Sequence, residues 1–195
     1  MRASDVAFSE SVKAVQVERG SRAVYARGDF HTHVTDELVE LLAGLDTAFL
    51  ATVNAAGQPY IQHRGGPKGF LRALDARTLG FVDFAGNRQY VSTGNLRDDE
   101  RVCLFLIDYA RRRRIKVWGC AKMVPLTDAL RAALVPEGYR ARPEQVCLVT
   151  VEAWDMNCPQ HIPQKLDAAD VMEVVGSLKA RVAELEAELD ELRRR

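Results

Sequence analysis

Two strings in this sequence set glycines beside cations at the ends of extended runs. In QHRGGPKG (residues 62–69) Gln62, His63 and Arg64 lead into Gly65, Gly66 and Pro67, with Lys68 behind them. Paired glycines let a ligand approach the backbone, and two cations suit an anionic group such as phosphate. A Gly-Gly-Pro turn with solvated charges has the same composition. DFAGNRQ (83–89) repeats the logic: Asp83 and Phe84 run into Gly86, Asn87, Arg88 and Gln89 at what should be a helix start. Exposed N–H groups and a guanidinium there make an anion site, and the plainer reading is a strand-to-helix turn capped by Asn87. RRRRIK (111–116) is a dense basic run. A strand beginning near Arg113 would put Arg114, Lys116 and Trp118 on one face and Ile115 and Val117 on the other. Only Tyr109 and Trp118 stand near enough to stack on bases, which argues against nucleic-acid binding. NCPQHIPQK (157–165) groups Cys158 with His161, but no third ligand or orienting carboxylate has recognisable spacing. It reads as a proline-stiffened loop with His161 as a polar wall residue, and His31 and His33 are too sparse for a metal claim. No GxGxxG, GxxxxGK[ST] or GxSxG motif is present.

The elements that must carry these strings follow from periodicity. Thr35 can cap a helix, Asp36 and Glu37 favour its positive end, and Leu38, Leu41, Leu42 and Leu45 fall at helical spacing. The period then shortens, giving six β-rich runs at 47–53, 58–64, 78–84, 102–108, 113–124 and 145–154. Asn54-Ala55-Ala56-Gly57 joins the first two as a hairpin, and most other connections are too short for a crossover helix, so the sheet should be mainly antiparallel. Closing six strands into a small barrel removes exposed edges. Helical intrusions are expected at 88–96 and 127–134.

Composition bounds the rest. The chain has 195 residues, 27 Lys plus Arg against 27 Asp plus Glu, and 47% hydrophobic residues, which suits one domain with an appendage. No apolar run approaches the roughly 20 residues of a membrane span and the N-terminus lacks an apolar core segment, so the expected place is the cytoplasm. Cys103, Cys120, Cys147 and Cys158 form no CxxC pair and should be reduced. Residues 1–34 show no sustained period and read as an arm or loosely packed lead-in. The tail is the clearest periodic signal: Val171, Val175, Leu178, Val182, Leu185, Leu189 and Leu192 form an a/d heptad seam. That narrow seam fits a partner helix, most simply a symmetry mate; the alternative is a helix folded back on its own barrel. The chain thus divides into 1–34, 35–166 and 167–195.

The order of helix, hairpin with GQPY, HRGGP, FAGNRQY, the long strand pair and NCPQHIPQ resembles the pyridoxamine 5'-phosphate oxidase-like, FMN-binding split-barrel superfamily over about residues 35–165. The resemblance implies a mainly β fold, a six-stranded antiparallel split barrel with flanking helices. It also implies a homodimer with FMN at the subunit interface. Carried over by position, the family's flavin-holding strand falls on Gln62, His63, Arg64, Gly65 and Lys68. Its Ser-Arg-Lys phosphate triplet falls on Asn87, Arg88 and Gln89, entered through Asp83 and Phe84. Its polar flavin contact at the start of the fifth strand falls on Arg114, a cation that would face the ring edge where charge accumulates on reduction. His63, Arg114 and His161 are the candidates for touching substrate or relaying a proton. The oxidase's Arg-rich C-terminal motif is replaced by NCPQHIPQK and the heptad helix. The implied activity is therefore FMN-dependent oxidoreduction of a small molecule other than a vitamin B6 phosphate, without metal. A non-catalytic flavin sensor, or heme or deazaflavin in the same barrel, are the other readings.

Overall fold

The computed structural model describes residues 2–194. Its strands are β1 (Thr47–Val53), β2 (Pro59–Gly65), β3 (Arg72–Ala73), β4 (Thr78–Phe84), β5 (Arg101–Asp108), β6 (Arg113–Val124) and β7 (Pro143–Asn157). Its helices are α1 (Glu10–Glu18), α2 (Arg22–Tyr25), α3 (Asp36–Gly44), α4 (Val91–Asp98), α5 (Asp128–Leu134) and α6 (Ala168–Arg194). The six expected strands stand within about three residues of their places. The seventh, β3, was missed because two residues carry no alternation to read.

Local chemistry explains the well-placed ends. Thr35 Oγ1 accepts the Leu38 N–H and Thr127 Oγ1 the Leu130 N–H, starting α3 and α5. Asn54 Oδ1 accepts the N–H groups of Ala56 and Gln58, tying the β1–β2 hairpin, and Gly57 supplies its left-handed φ of 81°. Within the strands alternation sorts the faces: Ile115 and Val117 are buried, while Arg114, Lys116 and Trp118 point outward, as the spacing predicts.

The strands form one antiparallel sheet in the order β2-β1-β5-β6-β7-β4-β3. The sheet curls around a core of Leu50, Phe81, Leu104, Leu106, Ile115 and Trp154, with Leu38, Leu41 and Leu42 of α3 plugging one side. No ladder joins β2 to β4. Side chains bridge that split instead: Arg64 of β2 is ion-paired with Asp83 of β4, both side chains 12% exposed, and Arg64 lies over the Phe81 ring. The architecture is a split β-barrel. Between β6 and β7 the register shifts at Trp118/Gly119, and there the strands run so close that a Cβ on Gly119 would collide with the Thr150 carbonyl oxygen.

The N-terminal residues differ from the loosely packed lead-in expected of them. A 3-10 turn at Ala3–Val6 precedes α1 and α2, and the segment is pinned to β6 and β7 through aromatics set far apart in sequence. Phe30 stacks on Trp118 with centroids 5.3 Å apart, Phe8 meets Phe30 edge-on, and His31 stacks on Trp154 at 4.2 Å. Trp154 Nε1 donates to the His33 carbonyl, and His31 and Trp154 exchange backbone hydrogen bonds. Contacts of this kind leave no periodic trace, because they come from loops between the helices rather than from one helix face.

At the other end α6 buries no residue, so it does not fold back onto its own barrel. No described helix is long and apolar enough to cross a membrane. All four cysteines are free, and burial pushes the Cys147 thiol up to about 12.

Candidate functional site

A polar cleft of about 240 Å³ opens where β2, the end of β4 and the start of α4 meet, at the split of the barrel. Gln62, Arg64, Asp83, Phe84, Asn87 and Arg88 all line it, together with Gly86, Tyr90, Ser92, Thr93 and Glu144. Antiparallel pairing explains the first group. Gln62 and Arg64 sit opposite Leu50 and Ala48 and share the inward face, whereas His63 pairs with Phe49 and points outward. A hydrogen-bonded frame holds the walls. Ser92 Oγ and Arg64 Nη2 both donate to Gln62 Oε1, while Gln145 Nε2 bridges Asp83 and Thr93.

Three features make the cleft suited to an anion. First, α4 begins at Tyr90 with no side chain capping its leading N–H groups. Asn87 is not the cap expected of it; its side chain turns back to accept the Gln89 N–H. Second, Arg88 is held in place: its Nε donates to Tyr90 Oη, which donates to Glu144 Oε1 at 2.8 Å. Arg88 and Tyr90 both adopt left-handed φ values, 61° and 53°, which non-glycine residues seldom take. Third, Arg64 Nε is buried and has no partner, although Asp83 and Gln62 occupy the guanidinium's other end. Gly86 faces open space, so its backbone is approachable from the cleft.

The remaining candidates lie elsewhere. A Cβ on Gly65 would meet His63 and the Asp46 carbonyl, and one on Gly66 would meet Phe70, so the glycine pair is required by the chain's own packing. Lys68 is exposed and paired with Asp167 at 2.9 Å, beside the root of α6. Gln89 is exposed outside the cleft, and His161 is exposed on the loop after β7 with a φ of 62°. Among the described residues no group of three or more His, Cys, Asp or Glu side chains is placed to hold a metal.

Arg114 points outward from β6, beside Asn157 at the far end of β7. The cleft adjoins the near end of that strand, through Glu144. Between Glu144 at the cleft and Asn157 beside Arg114, β7 runs a contour of roughly 40 Å, at about 3.3 Å per residue. Arg114 Nε and Asn157 Oδ1 are a second set of buried polar atoms without partners, and burial raises the neighbouring Asp155 carboxyl despite Lys116.

Tyr90, Ser92, Thr93 and Glu144 escaped the sequence reading. The first three lie within five residues after Arg88 and could have been found by extending the string; Glu144 enters only through the pairing of β7 with β4.

No curated protein matches the chain. Among solved structures it is similar to HupZ of Group A Streptococcus, with 20% identity and a TM-score of 0.52, covering 68% of this chain and 99% of that one. A histidine-to-alanine variant of the same HupZ gives 21% identity and a TM-score of 0.51, covering 64% and 99%. An FMN-binding protein from Syntrophomonas wolfei aligns at 13% identity and a TM-score of 0.46, covering 74% and 97%. The two HupZ likenesses concern the fold alone. Residues 34–158 match the pyridoxamine 5'-phosphate oxidase family, most of the chain and the whole of the barrel with its cleft, and the protein belongs to that family.

Proposed function

We propose that this protein is an FMN-dependent oxidoreductase that works as a homodimer on a small molecule other than pyridoxamine phosphate. The observation that carries this reading is the cleft itself, lined by the braced Arg88 and by the start of α4, whose leading N–H groups no side chain caps. That donor set fits a phosphate monoester. At about 240 Å³ the cleft is smaller than the 300 Å³ or more that encloses a whole drug-sized ligand, so one chain holds the phosphate end and the ring system lies beyond it.

The outer face of β2, β1 and β5 supports the second subunit. Phe49, Phe105 and Ile61 stand there side by side, with Ile61 61% exposed, next to His63. A second copy seated on this face supplies what one chain lacks, an Arg114 within reach of the other chain's cleft. The bound flavin supplies the redox chemistry, accepting and passing on electrons. The chain's own residues bind and tune. Arg88 and the start of α4 neutralise the phosphate, Arg64 and Asp83 hold the split at a fixed width, and Arg114 presents a permanent positive charge to the ring edge.

Titrating the apoprotein with FMN should quench flavin fluorescence at one FMN per chain, and NAD(P)H should then reduce the bound flavin with turnover. A Soret band in place of flavin absorbance would favour heme instead, and binding without turnover would favour a sensor. Replacing Arg114 with Ala should lower the flavin midpoint potential, since reduced flavin loses a nearby positive charge, while FMN affinity falls little. An unchanged potential removes Arg114 from the site.

Tyr90 bears on the phosphate end. Tyr90→Phe deletes the hydroxyl that positions Arg88, a loss of about 0.5 to 1.5 kcal/mol or roughly a two- to tenfold weaker FMN complex. Riboflavin, which lacks the phosphate, should bind the variant as it binds the parent. Equal weakening of both ligands would mean that Tyr90 acts on the fold rather than on Arg88.

A further inference from the structure

We infer that α6 is one strand of a parallel, in-register, two-stranded coiled coil formed with a second copy of this chain, an interaction separate from the flavin site. The helix runs 27 residues, has no buried residue, and exposes its seam apart from the half-buried Val175, from 39% at Val171 to 66% at Leu192. An apolar seam left open along a helix about 40 Å long demands a cover.

The residue types name that cover. With Val171 at d, the a positions include the β-branched Val175 and Val182, and the later d positions are Leu178, Leu185 and Leu192. Val at a with Leu at d is the combination that packs as a parallel dimer. The flanking charges complement themselves in that register: Arg181 at g faces Glu186 at e of the other helix, and Glu188 at g faces Arg193 at e. Twofold symmetry repeats both pairs, so a second copy offers cross-seam partners to Arg181 and Arg193, which within one helix pair with Glu184 and Asp190 of the neighbouring turn. Nearer the barrel Met172 at e and Val174 at g are apolar, and Lys179 at e faces Val174 of the other helix. Val174 joins Ala110 and Leu166 in a groove of about 360 Å³ at the root of the helix, and Met172 is exposed on the other flank. A parallel pair gathers these residues of both chains beside the two barrels. An antiparallel pair would instead set each Val layer against Leu and bring Met172 to Arg193.

Cysteine cross-linking of the full-length chain tests this, in a Cys158→Ser background that removes the exposed thiol. Leu192→Cys sits on the seam far from the helix centre, and Ala187→Cys sits on the outer face. Because α6 buries nothing within the chain, neither change disturbs the barrel. Under mild oxidation the Leu192→Cys protein should run as a disulfide-linked dimer on a non-reducing gel and the Ala187→Cys protein as a monomer. Equal cross-linking of the two, or none in either protein and none when Val175→Cys and Leu192→Cys chains are mixed, overturns the coiled coil. Cross-linking only when Val175→Cys and Leu192→Cys chains are mixed overturns the parallel orientation. None of these outcomes depends on whether FMN binds.

Discussion

Replacing Arg88 with Ala should weaken FMN binding by roughly one to two orders of magnitude, the equivalent of about 1.5 to 3 kcal/mol for a charge-assisted contact to phosphate. The guanidinium is the one cation in the cleft not engaged by a carboxylate, because Arg64 is already paired with Asp83. Removing Arg88 leaves Tyr90 and Glu144 facing the phosphate, and Glu144 then adds repulsion. Riboflavin affinity should stay at the parent value, so the ratio of the two affinities isolates the phosphate contribution. The measurement is a pair of fluorescence titrations on the same preparation, with the flavin potential expected to remain near that of the parent. An Arg88→Ala protein that binds FMN like the parent would take the phosphate out of this cleft altogether.

The second large effect concerns Trp154, which is 1% exposed and does three things at once. Its ring fills the end of the barrel core, stacks on His31 and donates its N–H to the His33 carbonyl. Trp154→Ala should cost about 3 to 5 kcal/mol from the cavity and lost packing, leaving the His33 carbonyl without its donor. For a chain of this size that lowers the thermal midpoint by roughly 6 to 20 °C. The N-terminal segment should loosen first, so proteolytic cutting between about residues 20 and 34 should precede loss of the barrel. If the variant melts with the parent and resists cutting equally, the segment is held by other contacts.

Much of this protein was legible before its structure. The β-rich runs TAFLATV and VCLFLID and the Thr35 cap placed strands and a helix closely because the forces involved are local: the preference of β-branched and aromatic residues for extended backbone, and one hydroxyl meeting one N–H. The strings QHRGGPKG and DFAGNRQ pointed to Gln62, Arg64, Asn87 and Arg88, which the fold brings to one cleft although they come from β2 and from the loop after β4. The same strings misjudged the glycine pair, because a glycine that lets a ligand approach and a glycine that lets its own chain approach look identical in sequence.

What tertiary structure alone decided was which charges are already spent. Asp83 takes Arg64, Asp167 takes Lys68, and Glu144 with Tyr90 orients Arg88, so of several cations in the strings one is left to meet a phosphate. Such pairings join residues as far apart as Tyr90 and Glu144, and they follow from strand register, which no local pattern encodes. The N-terminal segment shows the same limit, since Phe30 finds Trp118 only after the barrel exists. Sequence by itself determined α3, the six longer strands and the heptad seam, because composition and periodicity are properties of each segment, and the split-barrel class followed from the resemblance of whole strings to a known family. The closed split, the braced arginine and the distance of Arg114 from the cleft required the assembled sheet, because they are relations between segments that meet only when the chain has folded.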